Sequence, residues 1–169
     1  MTQTNDLHVL SFEPLTPPGE LLAELPLGER RATIVDRSRQ TVRDILAGLD
    51  DRLLVVVGPC SAHDPAAALD YAGRLAAVAE RLADDLCVVM RVYFEKPRTT
   101  MGWKGLINDP GLDGTYDIQR GIRTARRLLL DILDLGVPVG CEFLEPTSPQ
   151  YIADAVSYTH LTLPTIYSV

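Results

Sequence analysis

Cysteine is scarce in this 169-residue sequence, which has only three. Cys60, Cys87 and Cys141 are odd in number and widely spaced, which makes a poor disulfide framework. We therefore expect reduced thiols and a cytoplasmic protein. Residues 1–6 are polar and lack a basic region followed by an apolar stretch, so no secretory signal peptide is expected.

Positive charge and long apolar runs are also lacking. Lys and Arg number 16 against 23 Asp and Glu, which gives a formal net charge of -7 and a pI ≈ 4.9. Binding to nucleic acid is not expected, because non-specific association needs a basic surface. The longest apolar runs, such as 53–57, are far shorter than the roughly 20 residues of a membrane span, so no membrane partner is expected either.

The residues that are present suit one globular unit of ordinary size. Hydrophobic residues make up 46% of the chain and charged residues 23%, a composition that excludes a disordered or collagen-like chain. The length of 169 residues allows a core of ordinary size. It is too short for a complete (β/α)8 barrel, which needs on the order of 250 residues.

Apolar periodicity predicts alternating helices and strands after an irregular beginning. Prolines and glycines interrupt residues 1 to about 30, which predicts an arm outside the core with one short helical turn. Helices are predicted over residues 20–25, 30–47, 64–81, 117–136 and from 148 onward. Buried strands are predicted over residues 53–57, 86–92 and 139–144.

This alternation predicts an α/β fold with a parallel sheet and right-handed crossovers. The pattern alone favours neither a doubly wound sheet nor part of a barrel. In both folds the functional residues lie at the carboxyl ends of the strands. We therefore expect a site in the segments that follow the three predicted strands.

The segment after the first strand, 58–64, contains a cysteine and a histidine. Cys60 comes just past a buried strand, where a thiolate could act as a metal ligand or a nucleophile. The alternative is that Cys60 is a small buried hydrophobic residue and His63 is part of a helix cap. Composition alone favours the alternative.

The segment after the second strand concentrates positive charge in an acidic chain. Alternation along this strand aims Arg91 at an interior, where a guanidinium is costly unless an anion meets it. Arginine forks, lysine ammonium groups and threonine hydroxyls together favour a phosphate or carboxylate ligand. The alternative is a solvated loop in which Glu95 pairs with Lys96. The cations are Arg91, Lys96, Arg98 and Lys104.

Two acidic residues, Glu142 and Glu145, flank Phe143 after the third strand. Either carboxylate could orient a catalytic lysine or pair with the cations of the second segment. Ordinary pairing within the loop is the alternative, and the residues alone do not decide between them.

Three long stretches of the sequence carry a family resemblance. They read DDRLLVVVGPCSAHDPAAALDYAGRL, VVMRVYFEKPRTTMGWKGLINDP and LLLDILDLGVPVGCEFLEPTSPQYIAD. Over about residues 7–155 the chain closely resembles the microbial class I 3-deoxy-D-arabino-heptulosonate-7-phosphate synthases, with GPCS, EKPRTT and GWKGL as specific motifs. The alternative is the related 3-deoxy-octulosonate 8-phosphate synthase family, which shares the barrel and chemistry but lacks KPRTT-x-GWKG in the corresponding loop.

The resemblance implies a (β/α)8 barrel that condenses phosphoenolpyruvate with erythrose 4-phosphate at the entry to the shikimate pathway. It implies a divalent metal ion that polarises the aldehyde. It also implies a homo-oligomer that responds to an aromatic amino acid through the N-terminal arm and the region of Pro149 and Gln150.

The resemblance also assigns roles to individual residues. Cys60 matches a metal ligand and Glu142 an acidic residue that lines the site. Arg91 and Lys96 match residues at the phosphoenolpyruvate end, with Lys96 also a proton donor. The segment that meets the sugar phosphate is matched by Pro97, Arg98 and Thr99.

The resemblance divides the chain into three parts. Residues 1–48 form the arm and first helix, residues 49–156 carry about three βα units of the barrel, and residues 157–169 resemble nothing in the family. We expect 157–169 to be a non-native tail on a truncated frame, and the remaining metal ligands to be missing. The chain alone is then inactive. The alternatives are a non-catalytic module that binds aromatic amino acids and a fragment whose open sheet edges prevent folding.

Overall fold

The fold alternates helices with parallel strands, as the pattern predicts. The computed structural model describes residues 12–97 and 101–159. Among them, no helix combines the length and the apolar character needed to cross a membrane. The elements in chain order are α1 (Pro18–Glu24), α2 (Glu29–Leu46), β1 (Leu53–Val57), α3 (Pro65–Arg81), β2 (Leu86–Arg91), α4 (Ile118–Asp134), β3 (Val139–Cys141), α5 (Pro149–Ile152), a 3-10 turn (Ala153–Ala155) and β4 (Tyr158–Thr159).

The strands form one parallel sheet in the order β1-β2-β3-β4. In this register Val57 lies beside Met90, so the carboxyl ends of β1 and β2 are adjacent. A doubly wound sheet reverses its strand order at a switch point, whereas this sheet follows the chain without reversal. The sheet is therefore of the barrel type and not doubly wound. The sequence pattern had left this choice open.

The predicted helix boundaries follow from local chemistry. The carboxylate of Asp64 accepts hydrogen bonds from the backbone N–H groups of Ala66 and Ala67, at 2.9 and 3.2 Å, with Pro65 in the first helical position. Asp117 likewise caps α4 through the backbone N–H of Arg120. These two caps confirm the predicted starts of α3 and α4.

The core lies between one face of the sheet and helices α3 and α4. Met90 and Val92 project from β2 and the residues after it into a cluster with Ile122, Leu129 and Leu133 of α4. All five side chains are buried. The amphipathic helix α4 is therefore the main layer that covers the sheet.

The described part of the N-terminal arm is not outside the core, and that expectation is wrong. Leu21 is 1% exposed and Leu25 6% exposed, and both belong to the core cluster. They lie one helical turn apart on the same face of α1. The hydroxyl of Tyr151 also donates to the carbonyl of Thr16 at 2.8 Å, which fixes the arm against α5.

The third strand is shorter than the predicted 139–144, because its pairing ends early. Gly140 pairs with Tyr158 and Cys141 with Thr159, whereas the N–H of Leu144 donates to a side chain instead of a strand. Strand β4 adds a fourth strand to the three expected. It lies in the segment 157–169, whose non-native origin stays a prediction.

Candidate functional site

Cys60 and Lys96 meet at the carboxyl ends of β1 and β2. The Lys96 Nζ donates to the backbone carbonyl of Cys60 at 2.7 Å and lies 3.5 Å from its Sγ. Cys60 is exposed, so the alternative of a small buried residue is wrong. The parallel register brings together two residues that are 36 positions apart in the chain.

The backbone around Lys96 is held by a later segment of the chain that runs antiparallel beside it. The N–H of Lys96 donates to the carbonyl of Lys104 at 3.0 Å, and Glu95 forms an antiparallel bridge with Gly105. Gly105 has a φ of 114°, and a Cβ there would overlap the carbonyl oxygen of Phe94. Only glycine allows the chain to pass so close to the end of β2.

Arg91 lies on the face of β2 opposite Met90 and Val92, as alternation predicts. Its guanidinium carbon lies 4.1 Å from the centroid of the Tyr93 ring, so the fork stacks on that ring. Burial raises the pKa of Tyr93, and the nearby Arg91 charge opposes this shift. Arg91 is half-buried, so its stacked guanidinium is partly shielded from water.

The two acidic residues after β3 have different surroundings. Glu142 is half-buried, and it comes two residues after Gly140, which pairs with Arg91, so alternation puts it on the same face of the sheet as Arg91. Glu145 accepts hydrogen bonds from the N–H groups of Thr147, at 2.9 Å, and Ser148. Burial favours a higher pKa for Glu145, but these hydrogen bonds outweigh it and the pKa is lowered. Glu145 therefore pairs within its own loop, and the role of Glu142 as the acidic residue of the site stays a prediction.

Glu95 is a site residue that the sequence interpretation missed. Its side chain is 4% exposed, and its carboxylate accepts from the N–H of Leu144 at 3.2 Å and the Oγ of Ser148 at 3.0 Å. The alternative of a solvated loop in which Glu95 pairs with Lys96 is therefore wrong. The signal was present in the alternation, which places Glu95 in phase with Arg91 and Tyr93.

The remaining predicted residues are only partly described. Pro97 is exposed at the end of the Lys96 segment, while Arg98 and Thr99 lie outside the described residues. Pro149 is half-buried at the first position of α5, and Gln150 is exposed beside it. Their regulatory role stays a prediction.

The donor atoms near Cys60 do not fit a complete metal site. No group of three or more His, Cys, Asp or Glu side chains within 12–97 and 101–159 could hold an ion. The Nδ1 of His63 lies 3.4 Å from the carbonyl of Ser61, and its ring packs edge-on to Trp103. Cys60 is thus a single donor beside an ammonium group, and a metal ion needs further ligands.

A separate groove of ≈ 1030 Å³ lies away from these residues. It runs between α2 and α3 over the beginning of β2, at the amino ends of the strands. Sites in parallel α/β folds form at the opposite ends. The cationic cluster around Arg91 and Lys96, at the carboxyl ends, is therefore the candidate site rather than this groove.

Comparison with known proteins gives consistent matches. The sequence profile of the DAHP synthetase I family matches residues 29–162. A phospho-2-dehydro-3-deoxyheptonate aldolase of Corynebacterium glutamicum is 59% identical over 155 residues, which cover 92% of this chain and 42% of the relative. The Phe-sensitive phospho-2-dehydro-3-deoxyheptonate aldolase of Escherichia coli K12 is 54% identical over 156 residues, with 92% and 45% covered. The chain thus spans less than half the length of these two relatives.

A solved structure supports the same relationship. The phospho-2-dehydro-3-deoxyheptonate aldolase of Francisella tularensis superimposes with a TM-score of 0.86 at 46% sequence identity, over 89% of this chain and 44% of that one. With the sequential parallel strands, this likeness confirms the expected α/β fold, the N-terminal part of a (β/α)8 barrel. The family match extends six residues beyond the expected limit at residue 156. The chain belongs to the DAHP synthetase I family.

Proposed function

We propose that this chain is the N-terminal part of a phospho-2-dehydro-3-deoxyheptonate aldolase. The whole enzyme condenses phosphoenolpyruvate with D-erythrose 4-phosphate and water and releases phosphate. The observation that carries the proposal is the meeting of Lys96 with Cys60 beside the stacked Arg91, in a chain of this family. Both substrates are anions, and this is a cationic site in an acidic chain.

Arg91 serves in this proposal as the anion-binding residue for phosphoenolpyruvate. A guanidinium offers two parallel N–H donors to a carboxylate or phosphate. Stacking on Tyr93 holds the fork in one plane, so less side-chain entropy is lost when the anion binds. We assign Glu142, on the same face, as the acidic residue that lines the site.

Lys96 serves as the proton donor. As the enol carbon of phosphoenolpyruvate bonds to the aldehyde carbon, the aldehyde oxygen gains negative charge and takes a proton from the Lys96 ammonium. Water then adds to the cation left on the former enol carbon and loses a proton to solvent. The bond from that carbon to the phosphate oxygen breaks as the ketone forms, and phosphate departs with the proton of the new hydroxyl. Pro97, Arg98 and Thr99 follow Lys96 directly, and we assign them to the phosphate of the sugar.

The family requires a metal ion, and we assign Cys60 as one of several ligands to it. An exposed thiol at the end of β1 is a suitable soft donor. The described residues do not complete the coordination, so no catalytic step here is derived through a metal ion.

Regulation and assembly are assigned to the whole enzyme. The E. coli relative is named as Phe-sensitive. We assign this protein an aromatic amino acid as effector, with Pro149 and Gln150 near its site, and a homo-oligomeric state.

The test is a chimera in which residues 1–156 are followed by the remaining part of the C. glutamicum relative. We expect phosphate release from phosphoenolpyruvate with erythrose 4-phosphate. Arg91→Ala and Lys96→Ala should each lower the rate at least 100-fold, because each removes a charge that contacts a substrate. The exposed cation Arg74 supplies the matched control, and Arg74→Ala should leave the rate unchanged.

Two outcomes would contradict the proposal. One is an Arg91→Ala or Lys96→Ala chimera that retains the rate of the parent chimera. The other is a chimera that turns over arabinose 5-phosphate in preference to erythrose 4-phosphate, which would favour the related octulosonate 8-phosphate chemistry.

A further inference from the structure

We infer that Glu95 is the positioning residue for Lys96, because its buried carboxylate tethers the Lys96 segment to the loop after β3. The inference rests on the proposed function, which places Lys96 against the substrates. Glu95 itself contacts neither Lys96 Nζ nor Cys60 in the structure, and it acts through the backbone that it shares with Lys96.

The tether joins two loops that follow different strands. One oxygen of the Glu95 carboxylate accepts both the N–H of Leu144, at 3.2 Å, and the Oγ of Ser148, at 3.0 Å. Ser148 is itself 3% exposed, so these hydrogen bonds are shielded from water. In such surroundings hydrogen bonds are stronger and more directional than at the surface.

The segment that contains Lys96 is thereby held on both sides. On one side, Glu95 bridges Gly105 and the N–H of Lys96 donates to Lys104. On the other side, the Glu95 carboxylate holds the loop at Leu144. With its backbone fixed from two directions, the Lys96 side chain reaches the carbonyl of Cys60 at 2.7 Å.

The charge of Glu95 makes its burial costly. The described partners of its carboxylate are two neutral donors, and the nearby charges are those of Glu142 and Glu145, which repel it. A buried carboxylate without a cation costs free energy, since water solvates it better. Stability therefore gives no reason for a charged side chain here, whereas an acceptor oxygen at this position holds the Lys96 segment to the loop after β3.

The experiment measures the placement of Lys96 by cross-linking. The chain has two lysines, Lys96 and Lys104, and Cys60 is its exposed cysteine whereas Cys87 and Cys141 are buried. A linker with an N-hydroxysuccinimide ester and an iodoacetyl group on one methylene carbon joins an amine to a thiol only at short range. Peptide mass spectrometry then gives the yield of the Lys96–Cys60 product in the full chain.

Four variants separate positioning from general loosening. We expect Glu95→Ala to lower the yield at least fivefold and Ser148→Ala at least twofold. Glu95→Gln keeps an acceptor oxygen of the same reach and should stay within twofold of the parent. Asp113→Ala removes a carboxylate that accepts from Thr115 within its own loop, and it should leave the yield unchanged.

An unchanged yield in Glu95→Ala overturns the inference if circular dichroism shows that this variant is folded. If it is not folded, Ser148→Ala decides, and an unchanged yield there overturns the inference. An equal loss in Glu95→Gln or in Asp113→Ala also overturns it. Because the cross-link needs no substrate, its result stands apart from the phosphate-release assay of the proposed function.

Discussion

The guanidinium of Arg126 is fully buried and forms a two-point ion pair with Asp154, at 2.6 and 2.9 Å. It also donates to the carbonyls of Leu25, at 2.7 Å, and Tyr151, at 2.9 Å. One side chain of α4 therefore joins the end of α1, the helix α5 and the 3-10 turn before β4. This contact holds the end of α1 against the segment that leads into β4.

Removal of one partner from this pair should be costly. Asp154→Ala leaves a buried guanidinium without its counter-charge, and we expect a loss of about 3 kcal/mol in the free energy of unfolding. Urea denaturation followed by circular dichroism measures it. The exposed pair of Arg74 and Asp70 is the matched control, and Asp70→Ala should change stability by less than about 1 kcal/mol. Equal losses in the two variants would contradict the prediction.

The same substitution should have opposite effects in two helices. A Cβ on Gly121 would overlap the carbonyl oxygen of Ile107, so Gly121→Ala should destabilise the protein by several kcal/mol although alanine favours helices. A Cβ on Gly73 meets nothing within 4 Å, so Gly73→Ala should stabilise by about 0.5–1 kcal/mol. The urea midpoints of both variants test this, and a stabilising Gly121→Ala would be the contrary result.

The burial of Glu95 predicts a pH-dependent stability. Burial raises its pKa above the ordinary 4.5, so the folded chain holds this proton at a pH where the unfolded chain has released it. This contribution is fully present below pH 4.5 and is lost as the pH rises through the raised pKa. Glu95→Gln should remove this dependence and become progressively more stable than the parent as pH rises. Urea denaturation across this range would disprove the idea if the two pH profiles ran parallel.

One thiol of the three should react quickly with iodoacetamide. Cys60 is exposed, whereas burial raises the pKa of both Cys87 and Cys141 and keeps these thiols protonated. Intact-mass spectrometry of the native chain should therefore show one rapid addition. Cys60→Ser should abolish it, and rapid modification of a second thiol in that variant would show that the sheet opens.

The chain by itself should not release phosphate from phosphoenolpyruvate and erythrose 4-phosphate. Its described residues supply a single candidate metal ligand, and one ligand does not hold a divalent ion in a catalytic geometry. A phosphate assay on the purified chain with added divalent metal checks this expectation. Release above the no-protein background that Lys96→Ala abolishes would refute it.

Much of the fold could be predicted because its signals are local. Asp64 with Pro65, and Asp117, are helix starts that the chain encodes within a few residues. The continuous apolar runs of β1 and β2 identify two strands of a parallel sheet. The predicted burial is confirmed for β2, whereas for β1 it is wrong, because β1 lies at the end of the sheet order and its residues are half-buried or exposed. The end of β3 could not be predicted, because the partner of the Leu144 N–H is a side chain 49 positions away.

Part of the candidate site could also be predicted, because the signals for that part are local in the sequence. Alternation placed Arg91 on the inner face, and charge placed Lys96 in the site. No local pattern indicated that the Glu95 carboxylate would accept hydrogen bonds from the Leu144 N–H and the Ser148 hydroxyl instead of pairing with Lys96. Arg126 was also missed, although a basic residue among the apolar positions of α4 was a signal that it had a buried partner.

The sequence by itself determined the helices, the first two strands, the cationic segment and, through its motifs, the family. These depend on neighbours along the chain and on residue types. The tertiary structure decided the sequential strand order, the burial of Leu21 and Leu25, the contact of Lys96 with Cys60 and the tether at Glu95. Each of these depends on groups far apart in the chain, whose hydrogen bonds and packing exist only after the sheet and helices have assembled.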